Sequence, residues 1–156
     1  MTFKNDFNSL PDHSRIWIYS SELSLNKDRQ NFILNFIKEK LNGWNAHNIP
    51  LTAGITILEN HFIVIGLDED VNLASGCSID TLQRTIQNLE TVLSINLMNR
   101  MNIFCRISDE IRCIPSNKLS LHVKGDTLFY DLTIQKKEEI DSYLKPISEG
   151  WCSNLL

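Results

Sequence analysis

Apolar residues recur at helical spacing in two segments of the chain, and these segments predict the two main helices. The first starts after Asn26, whose side chain readily caps a helix, and stops near Gly43, a common terminator. Its apolar face is formed by Phe32, Ile33, Phe36, Ile37, Leu41 and Trp44. The second has Ser78 as its expected cap and Asp80 placed to stabilise the helix dipole. Its apolar face is formed by Leu82, Ile86, Leu89 and Leu93.

Runs rich in β-branched and aromatic residues predict strands around these helices. The first run covers residues 16–19. A hairpin follows over residues 54–58 and 62–67, with Asn60 in its turn because Asn tolerates a positive φ. The second arm, FIVIGL, is apolar on both alternating faces, which is typical of a central strand covered on both sides. The polar stretch 45–51 is expected to be a loop.

The last third of the chain is predicted to contain another hairpin, one more strand and a final helix. The hairpin joins residues 102–107 to residues 111–115. The strand covers residues 128–134, and the helix begins near Lys137. Pro146 should bend or end that helix, because proline lacks the backbone amide that a helix interior needs.

The order of these elements predicts the α+β class. Helices interrupt a mostly antiparallel set of strands, which suits a single sheet with about three helices packed mainly on one face. The opening order, βαββα, resembles half of a ferredoxin-like fold. We expect residues 1–14 to form a flexible N-terminal arm, because they are polar and contain a proline. Residues 15–156 should then form a single α+β domain.

Composition and charge exclude several classes of protein. The chain has 156 residues, of which 42% are hydrophobic and 22% charged, which is typical of a globular domain. Its formal net charge of -4 argues against a nucleic-acid partner or an anionic membrane surface. The apolar runs are far shorter than the roughly 20 residues that cross a bilayer, and the N-terminus shows no signal-peptide pattern. We therefore expect a cytoplasmic protein that does not insert into membranes.

The four cysteines show no C-x-x-C spacing, which favours free thiols over a zinc site or a disulfide scaffold. Cys105 and Cys113 lie on the two arms of the predicted hairpin. If Ser108–Glu110 form a three-residue turn, Ile107 faces Ile111 and Cys105 faces Cys113 at a distance that a disulfide can span. The alternative is that both thiols stay free on a core-facing stripe.

No metal ion and no cofactor are expected. The acidic run of residues 68–70 lacks the spacing of a calcium loop and is interpreted as a solvated strand end. The histidines at positions 13, 61 and 122 are isolated and form no H-E-x-x-H motif. The phosphate loop G-x-x-x-x-G-K-[ST], the dinucleotide motif G-x-G-x-x-G and the hydrolase motif G-x-S-x-G are also missing.

The most informative segment is ASGCSID, residues 74–80. Cys77 precedes a predicted helix, where free amides stabilise a thiolate, and Gly76 would let a ligand approach the backbone. One interpretation is a reactive cysteine or small-anion site flanked by Ser75, Ser78 and Asp80. The other is a tight turn and cap above a Cys77 that packs as a small apolar residue.

Trp44 and His47 lie in the loop after the first helix. An aromatic ring beside an imidazole can line a binding pocket. Alternatively, Trp44 covers the core and His47 bonds loop carbonyls. A nucleophilic Cys77 would also need a base, and only His47 or His61 could supply one through the fold.

Four segments carry a resemblance to known proteins. They are RIWIYSSELSL, WNAHNIPL, ASGCSID after the acidic run, and the C-terminal segment around Trp151. Together they resemble a family of short bacterial proteins often labelled "ABC transporter ATPase". Because the phosphate-cradling loop and its lysine are missing here, the resemblance implies a shared fold rather than ATP hydrolysis. Cys152 follows Trp151 where the family has histidine, so no terminal histidine is available to act with Cys77.

These patterns support three hypotheses about function. The first is a non-enzymatic binding or interaction module for an unknown protein or small molecule, with its site at residues 75–80 and the Trp44/His47 loop. The second is a thiol-dependent enzyme that uses Cys77 in acyl transfer or redox chemistry. The third is a structural homodimer subunit that pairs through edge strands.

Overall fold

The computed structural model describes residues 3–4 and 6–156, and its contacts divide the chain into two compact units. The first unit comprises the described residues up to Met98 together with Gln135–Glu138, and the second comprises Asn99–Ile134 and Glu139–Leu156. The α+β class is confirmed. None of the described helices combines the length and the apolar character needed to cross a membrane. The grouping of residues 15–156 into a single domain stays a prediction.

In the first unit, the main sheet has the strand order β1-β5-β6-β2. The elements described in this unit are β1 (Phe3–Lys4), β2 (Arg15–Ser20), α1 (Lys27–Lys40), β3 (Asn45–Ala46), β4 (Ile49–Pro50), β5 (Ala53–Leu58), β6 (Phe62–Leu67) and α2 (Gly76–Leu93). The central strand β6 runs antiparallel to both β5 and β2, whereas β1 runs parallel to β5. The small hairpin of β3 and β4 forms a sheet of its own.

The two predicted helices are confirmed, and they build the core of the first unit. The Asn26 side chain accepts a 2.8 Å hydrogen bond from the Arg29 amide and so caps α1, as predicted. Both helices bury their apolar stripes in one cluster with inward-facing residues of the sheet. The fully buried members include Ile33, Ile37, Ile63, Ile65, Leu82, Ile86 and Leu89. Burying this much apolar area is the main favourable contribution to folding.

The opposite face of β6 is covered by the segment that precedes β2. Phe7 and Leu10 are buried there, and a Cβ atom added at Gly66 would lie 2.7 Å from a side-chain carbon of each. Every residue of β6 is buried, so the prediction of a strand covered on both faces is confirmed. The predicted flexible arm spans residues 1–14, of which residues 1, 2 and 5 lie outside the described residues. Its mobility stays a prediction.

The second unit contains a four-stranded antiparallel sheet in the order β10-β9-β7-β8. Its elements are β7 (Asn102–Ile107), β8 (Glu110–Pro115), the short helix α3 (Leu119–His122), β9 (Leu128–Tyr130) and β10 (Leu144–Pro146). A separate apolar cluster stabilises this unit. It is formed by Ile103, Cys105, Ile114, Leu119, Phe129, Ile147 and Cys152.

The prediction of a single sheet is wrong, because the described strands form three sheets. Strand β6 pairs on one edge with β5 and on the other with β2. Strand β7 likewise pairs on both edges, with β8 and with β9. The strands β7 to β10 pair only with one another, so they form a second sheet and do not extend the first.

The three-residue turn considered for Ser108–Glu110, in which Cys105 would face Cys113, is also wrong. Ser108 and Asp109 alone form the turn, with φ values of 53° and 63°, so the turn has two residues and not three. Cys105 therefore faces Arg112, and Cys113 faces Phe104. A shift of one residue moves a side chain to the other face of a strand, which separates the two thiols.

Three other element predictions are corrected. Residues 45–51 contain the β3–β4 hairpin and are not simply a loop. The strand predicted to reach Ile134 ends at Tyr130, because the Asp131 side chain accepts the Thr133 amide and turns the chain. The final helix is only a 3-10 segment, Lys137–Ser142. The chain then becomes strand β10, since a residue before proline is forced towards an extended conformation.

Candidate functional site

The N-terminus of α2 is closed by two serines, and the cap is Ser75 rather than the predicted Ser78. The Ser75 hydroxyl accepts the Ser78 amide at 3.1 Å, and the Ser78 hydroxyl accepts the Ser75 amide at 2.8 Å. This reciprocal arrangement is a capping box. Because the helix starts at Gly76, Asp80 lies beyond the first turn, where its effect on the helix dipole is weaker than expected.

Two backbone amides remain open at this helix start. The amides of Gly76 and Cys77 have no acceptor among the described residues, as expected for the first turn of a helix. A Cβ atom added at Gly76 would meet no atom within 4 Å, so the space beside it is open. The thiol of Cys77 is exposed to solvent. The alternative in which Cys77 packs as a buried residue is therefore wrong.

Trp44 connects the end of α1 to the start of α2. Its indole Nε1 donates a 2.9 Å hydrogen bond to the carbonyl of Ser78, and only 4% of its surface is exposed. It meets Trp17 edge to face, with 6.3 Å between the ring centroids. Gly43, with a φ of +74°, turns the chain just before Trp44. The interpretation of Trp44 as a core residue is thus confirmed, although its polar edge reaches the predicted site.

A cavity of about 230 Å³ lies between these two segments. The segment after α1 contributes Lys40, Leu41, Asn42, Gly43, Trp44 and Asn45, and α2 contributes Cys77, Ser78 and Thr81. The structure therefore brings the predicted Trp44, Cys77 and Ser78 together. Lys40 is the charged residue of this lining, which includes no carboxylate and no histidine among the described residues.

The remaining predicted site residues lie outside the cavity lining. Ser75 and Gly76 shape the helix start, and Asp80 is exposed on α2. His47 is exposed in the β3–β4 turn with a φ of 52°. His61 is buried, and its Nδ1 lies 2.8 Å from the carbonyl of Ser21. Neither histidine reaches the cavity to act as a base for Cys77.

Apart from Cys77 and Ser78, the sequence did not identify the polar side chains of the cavity lining. They belong to Lys40, Asn42, Asn45 and Thr81. Thr81 could have been found, because it lies four residues after Cys77 and shares its helix face. Its hydroxyl donates a 2.9 Å hydrogen bond to the Cys77 carbonyl. Lys40, Asn42 and Asn45 carried no signal of this kind, because only the path of the chain after α1 brings them to the cavity.

The buried thiols belong to the second unit. Cys105 and Cys152 are fully buried. Burial, together with smaller contributions from the Cys152 and Cys113 thiols, raises the pKa of Cys105 to about 11. Burial also raises the pKa of Cys152. Thiolates are therefore disfavoured at both positions, and Cys77 is the exposed thiol among the described residues.

The structure also assembles a second group of polar side chains in the first unit. His13 Nε2 lies 2.5 Å from Asp70 Oδ2, and these atoms lie near a carboxylate oxygen of Asp68. Asp68 is only 8% exposed. The interpretation of residues 68–70 as a solvated strand end is therefore wrong for Asp68. Residue spacing could not reveal this group, because 57 positions separate His13 from Asp70.

No family model, no curated protein and no solved structure matches this chain. The interpretation of both sites therefore depends on their own residues and geometry.

Proposed function

We propose that the protein is a non-enzymatic binding module whose site is the cavity between the segment after α1 and the start of α2. The observation that carries this proposal is the convergence of Trp44, Cys77, Ser78 and Thr81 on one cavity of about 230 Å³. That volume accommodates a side chain or a small polar molecule rather than a large cofactor. The ligand class is a small polar group, presented by a metabolite or by a partner protein.

The chemistry of the lining supports a ligand with hydrogen-bond acceptors. Lys40 supplies a positive charge, and the side-chain amides of Asn42 and Asn45 supply further donors. The indole of Trp44 gives the site a rigid aromatic wall, because its Nε1 is fixed on the Ser78 carbonyl. A fixed wall with a few polar groups favours selective binding, since little side-chain entropy is lost when the ligand enters.

The absence of a base beside Cys77 supports binding rather than catalysis. A cysteine nucleophile is normally paired with a group that removes its proton at hydrogen-bond distance. The described residues of the lining include no histidine and no carboxylate that could take this role.

The test uses two threonines on α2 that make the same local hydrogen bond. Thr81 bonds the Cys77 carbonyl and lines the cavity, whereas Thr91 bonds the Gln87 carbonyl away from it. We would screen the full chain by NMR against small amides, carboxylates and amines, with the backbone amides of Gly43 and Cys77 as reporters. Thr81→Trp should weaken every hit about tenfold or more by filling the cavity, and Thr91→Trp should leave affinities unchanged. The proposal would be refuted if the ligands bound the Thr81→Trp variant as tightly as the wild type, or if the screen found no ligand.

A second candidate function is thiol chemistry at Cys77, which its exposure at the second helical position favours. A cysteine nucleophile must be accessible to its substrate, and the amides of a helix start can hold a negatively charged group beside it. Iodoacetamide should then modify Cys77 clearly faster than a model peptide thiol at pH 7. Equal rates would leave Cys77 as a residue of the binding site without special reactivity.

Several finer predictions accompany this proposal. A ferredoxin-like opening is supported by the order β5-β6-β2, in which the hairpin strand β6 runs antiparallel between the other two. The resemblance to the short bacterial family stays a prediction, although two of its segments, WNAHNIPL and ASGCSID, supply residues of the cavity lining. Cytoplasmic location, lack of nucleic-acid binding and pairing into a homodimer likewise stay predictions, which cell fractionation and light scattering would test.

A further inference from the structure

We propose that His13, Asp68 and Asp70 form a binding site for a divalent first-row transition-metal ion, best matched by Zn²⁺. Each residue offers one ligand atom, and the three atoms lie within 4.8 Å of one another. One imidazole nitrogen and two carboxylate oxygens are a donor set that zinc binds readily, with water in the remaining position. This site is separate from the cavity and independent of the proposed function.

The sheet of the first unit brings these residues together. Arg15 pairs with Leu67, so the start of β2 lies beside the end of β6. His13 precedes β2, and Asp68 directly follows β6, where its amide still donates to the Thr52 carbonyl at 2.9 Å. The site is therefore held by two neighbouring strand ends and not by a single loop.

A turn orders the two carboxylates. The Asp70 amide donates to Asp68 Oδ1 at 3.1 Å, and the Val71 amide donates to the Asp68 carbonyl at 3.3 Å. Glu69 points elsewhere, because its Oε2 accepts the Ala74 amide at 3.1 Å. Residues 68 and 70 thus present their carboxylates to His13 while the carboxylate between them is engaged in another contact.

The burial of Asp68 is the second observation that points to a cation. The residue is 8% exposed, yet among the described residues no cationic side chain forms an ion pair with it. The one hydrogen bond that its side chain makes with these residues comes from the Asp70 amide to Oδ1. A largely buried carboxylate with a single hydrogen-bond donor is stabilised by a nearby positive charge, which a cation bound from solvent would supply. The other oxygen of Asp68 has no hydrogen-bond donor among the described residues.

Ser14 adds an independent unsatisfied group at the same strand ends. It is 1% exposed, and its hydroxyl oxygen has no hydrogen-bond partner among the described residues. Ser14 directly precedes β2 and Asp68 directly follows β6, and the adjoining residues Arg15 and Leu67 are paired. A hydrated cation would supply charge to Asp68, and one of its waters would bond the Ser14 hydroxyl.

The ion would replace the direct contact between His13 and Asp70. Tetrahedral zinc with ligand bonds of about 2.1 Å separates its ligand atoms by about 3.4 Å, so the 2.5 Å contact must open by about 1 Å. The side chains of His13 and Asp70 are 55% and 66% exposed and can make this movement without disturbing the core. Calcium and magnesium fit less well, because both prefer an all-oxygen shell.

Calorimetric titration of the full chain with zinc chloride tests the proposal. One site per chain is expected in the wild type. His13→Ala and Asp70→Asn should weaken it by at least the roughly 10–100-fold that loss of an outer-shell partner costs. Both residues are exposed, so these variants should remain folded, and thermal unfolding would confirm this. The control His122→Ala removes another exposed histidine and should leave zinc affinity unchanged.

A second measurement identifies the ligand directly. Zinc should shift the imidazole NMR signals of His13, while those of His47, His61 and His122 stay in place. The proposal is overturned if zinc does not bind at millimolar concentration, if His13→Ala binds as tightly as the wild type, or if another histidine responds in place of His13.

Discussion

The indole Nε1 of Trp44 and the backbone carbonyl of Ser78 lie 2.9 Å apart, and this hydrogen bond fixes the wall of the cavity to the first turn of α2. The carbonyl belongs to a residue that is 2% exposed, so water could not easily replace the indole. Local stability and ligand binding should therefore depend on the same contact.

Trp44→Phe should destabilise the protein while preserving most of the buried aromatic surface. Loss of the donor removes one of the hydrogen bonds to the Ser78 carbonyl, which keeps its bond within α2, and costs about 0.5–1.5 kcal/mol. Urea unfolding monitored by circular dichroism would measure the change. Trp151→Phe, at a position that is 47% exposed, should change stability by less than about 0.5 kcal/mol. Equal effects of the two substitutions would show that this hydrogen bond does not contribute to stability.

The rate at which each cysteine is alkylated should depend on how deeply it is buried. Cys77 is exposed and should react in the native state, whereas Cys105 and Cys152 should react only when the chain opens. Given ordinary unfolding equilibria, the buried thiols should be slower by about 1,000-fold or more. Peptide mass spectrometry after iodoacetamide treatment gives the order, and treatment in denaturant should label all four cysteines at similar rates. Rapid native labelling of Cys105 would contradict the structure.

Adding a methyl group at Gly150 should strongly destabilise the second unit. Its Cβ atom would lie 2.1 Å from Cζ of Phe129, a ring that is fully buried and has no room to withdraw. Gly150→Ala should cost about 1–3 kcal/mol or more through overpacking. The matched control in the same unit is Gly125→Ala, whose added carbon meets Ser148 at an ordinary 3.6 Å. Thermal unfolding should show a lower transition for Gly150→Ala alone.

Asp131 should make the second unit sensitive to acid. Burial alone would raise its pKa, but hydrogen bonds from the Thr133 hydroxyl and amide, together with the Lys145 ammonium at 3.1 Å, outweigh burial and hold the pKa below its ordinary value. A carboxyl with a lowered folded pKa stabilises the folded state fully above its unfolded pKa, near 3.8, and this contribution disappears as the pH falls through the folded value.

The substitution Asp131→Asn tests this dependence. It should lower stability at neutral pH by about 1–2 kcal/mol, because a charge-assisted bond is replaced by a neutral one. It should also flatten the fall in stability below pH 4. Unfolding curves at several pH values would measure both effects. Asp126→Asn, at an exposed site, is the control and should keep the wild-type profile.

The sequence alone determined those parts of the fold that depend on local patterns. The helix cap at Asn26, the apolar stripes of α1 and α2, and the doubly covered strand β6 were all predicted, because residue spacing of about 3.6 or 2 encodes which face is buried. The sequence also indicates the segments that contain Trp44 and Cys77, because both residues stand close to a predicted helix end.

Only the tertiary structure decided features that depend on distant pairing. Because the turn at Ser108 has one residue fewer than expected, Arg112 and not Cys113 lies opposite Cys105. Turn length is weakly encoded in the sequence when several consecutive polar residues can each occupy the turn. His13 meets Asp68 and Asp70 because strands β2 and β6 pair in one register. The register between two strands depends on the pairing of the whole sheet. The local spacing of residues in the sequence therefore cannot predict that His13 lies beside Asp68 and Asp70.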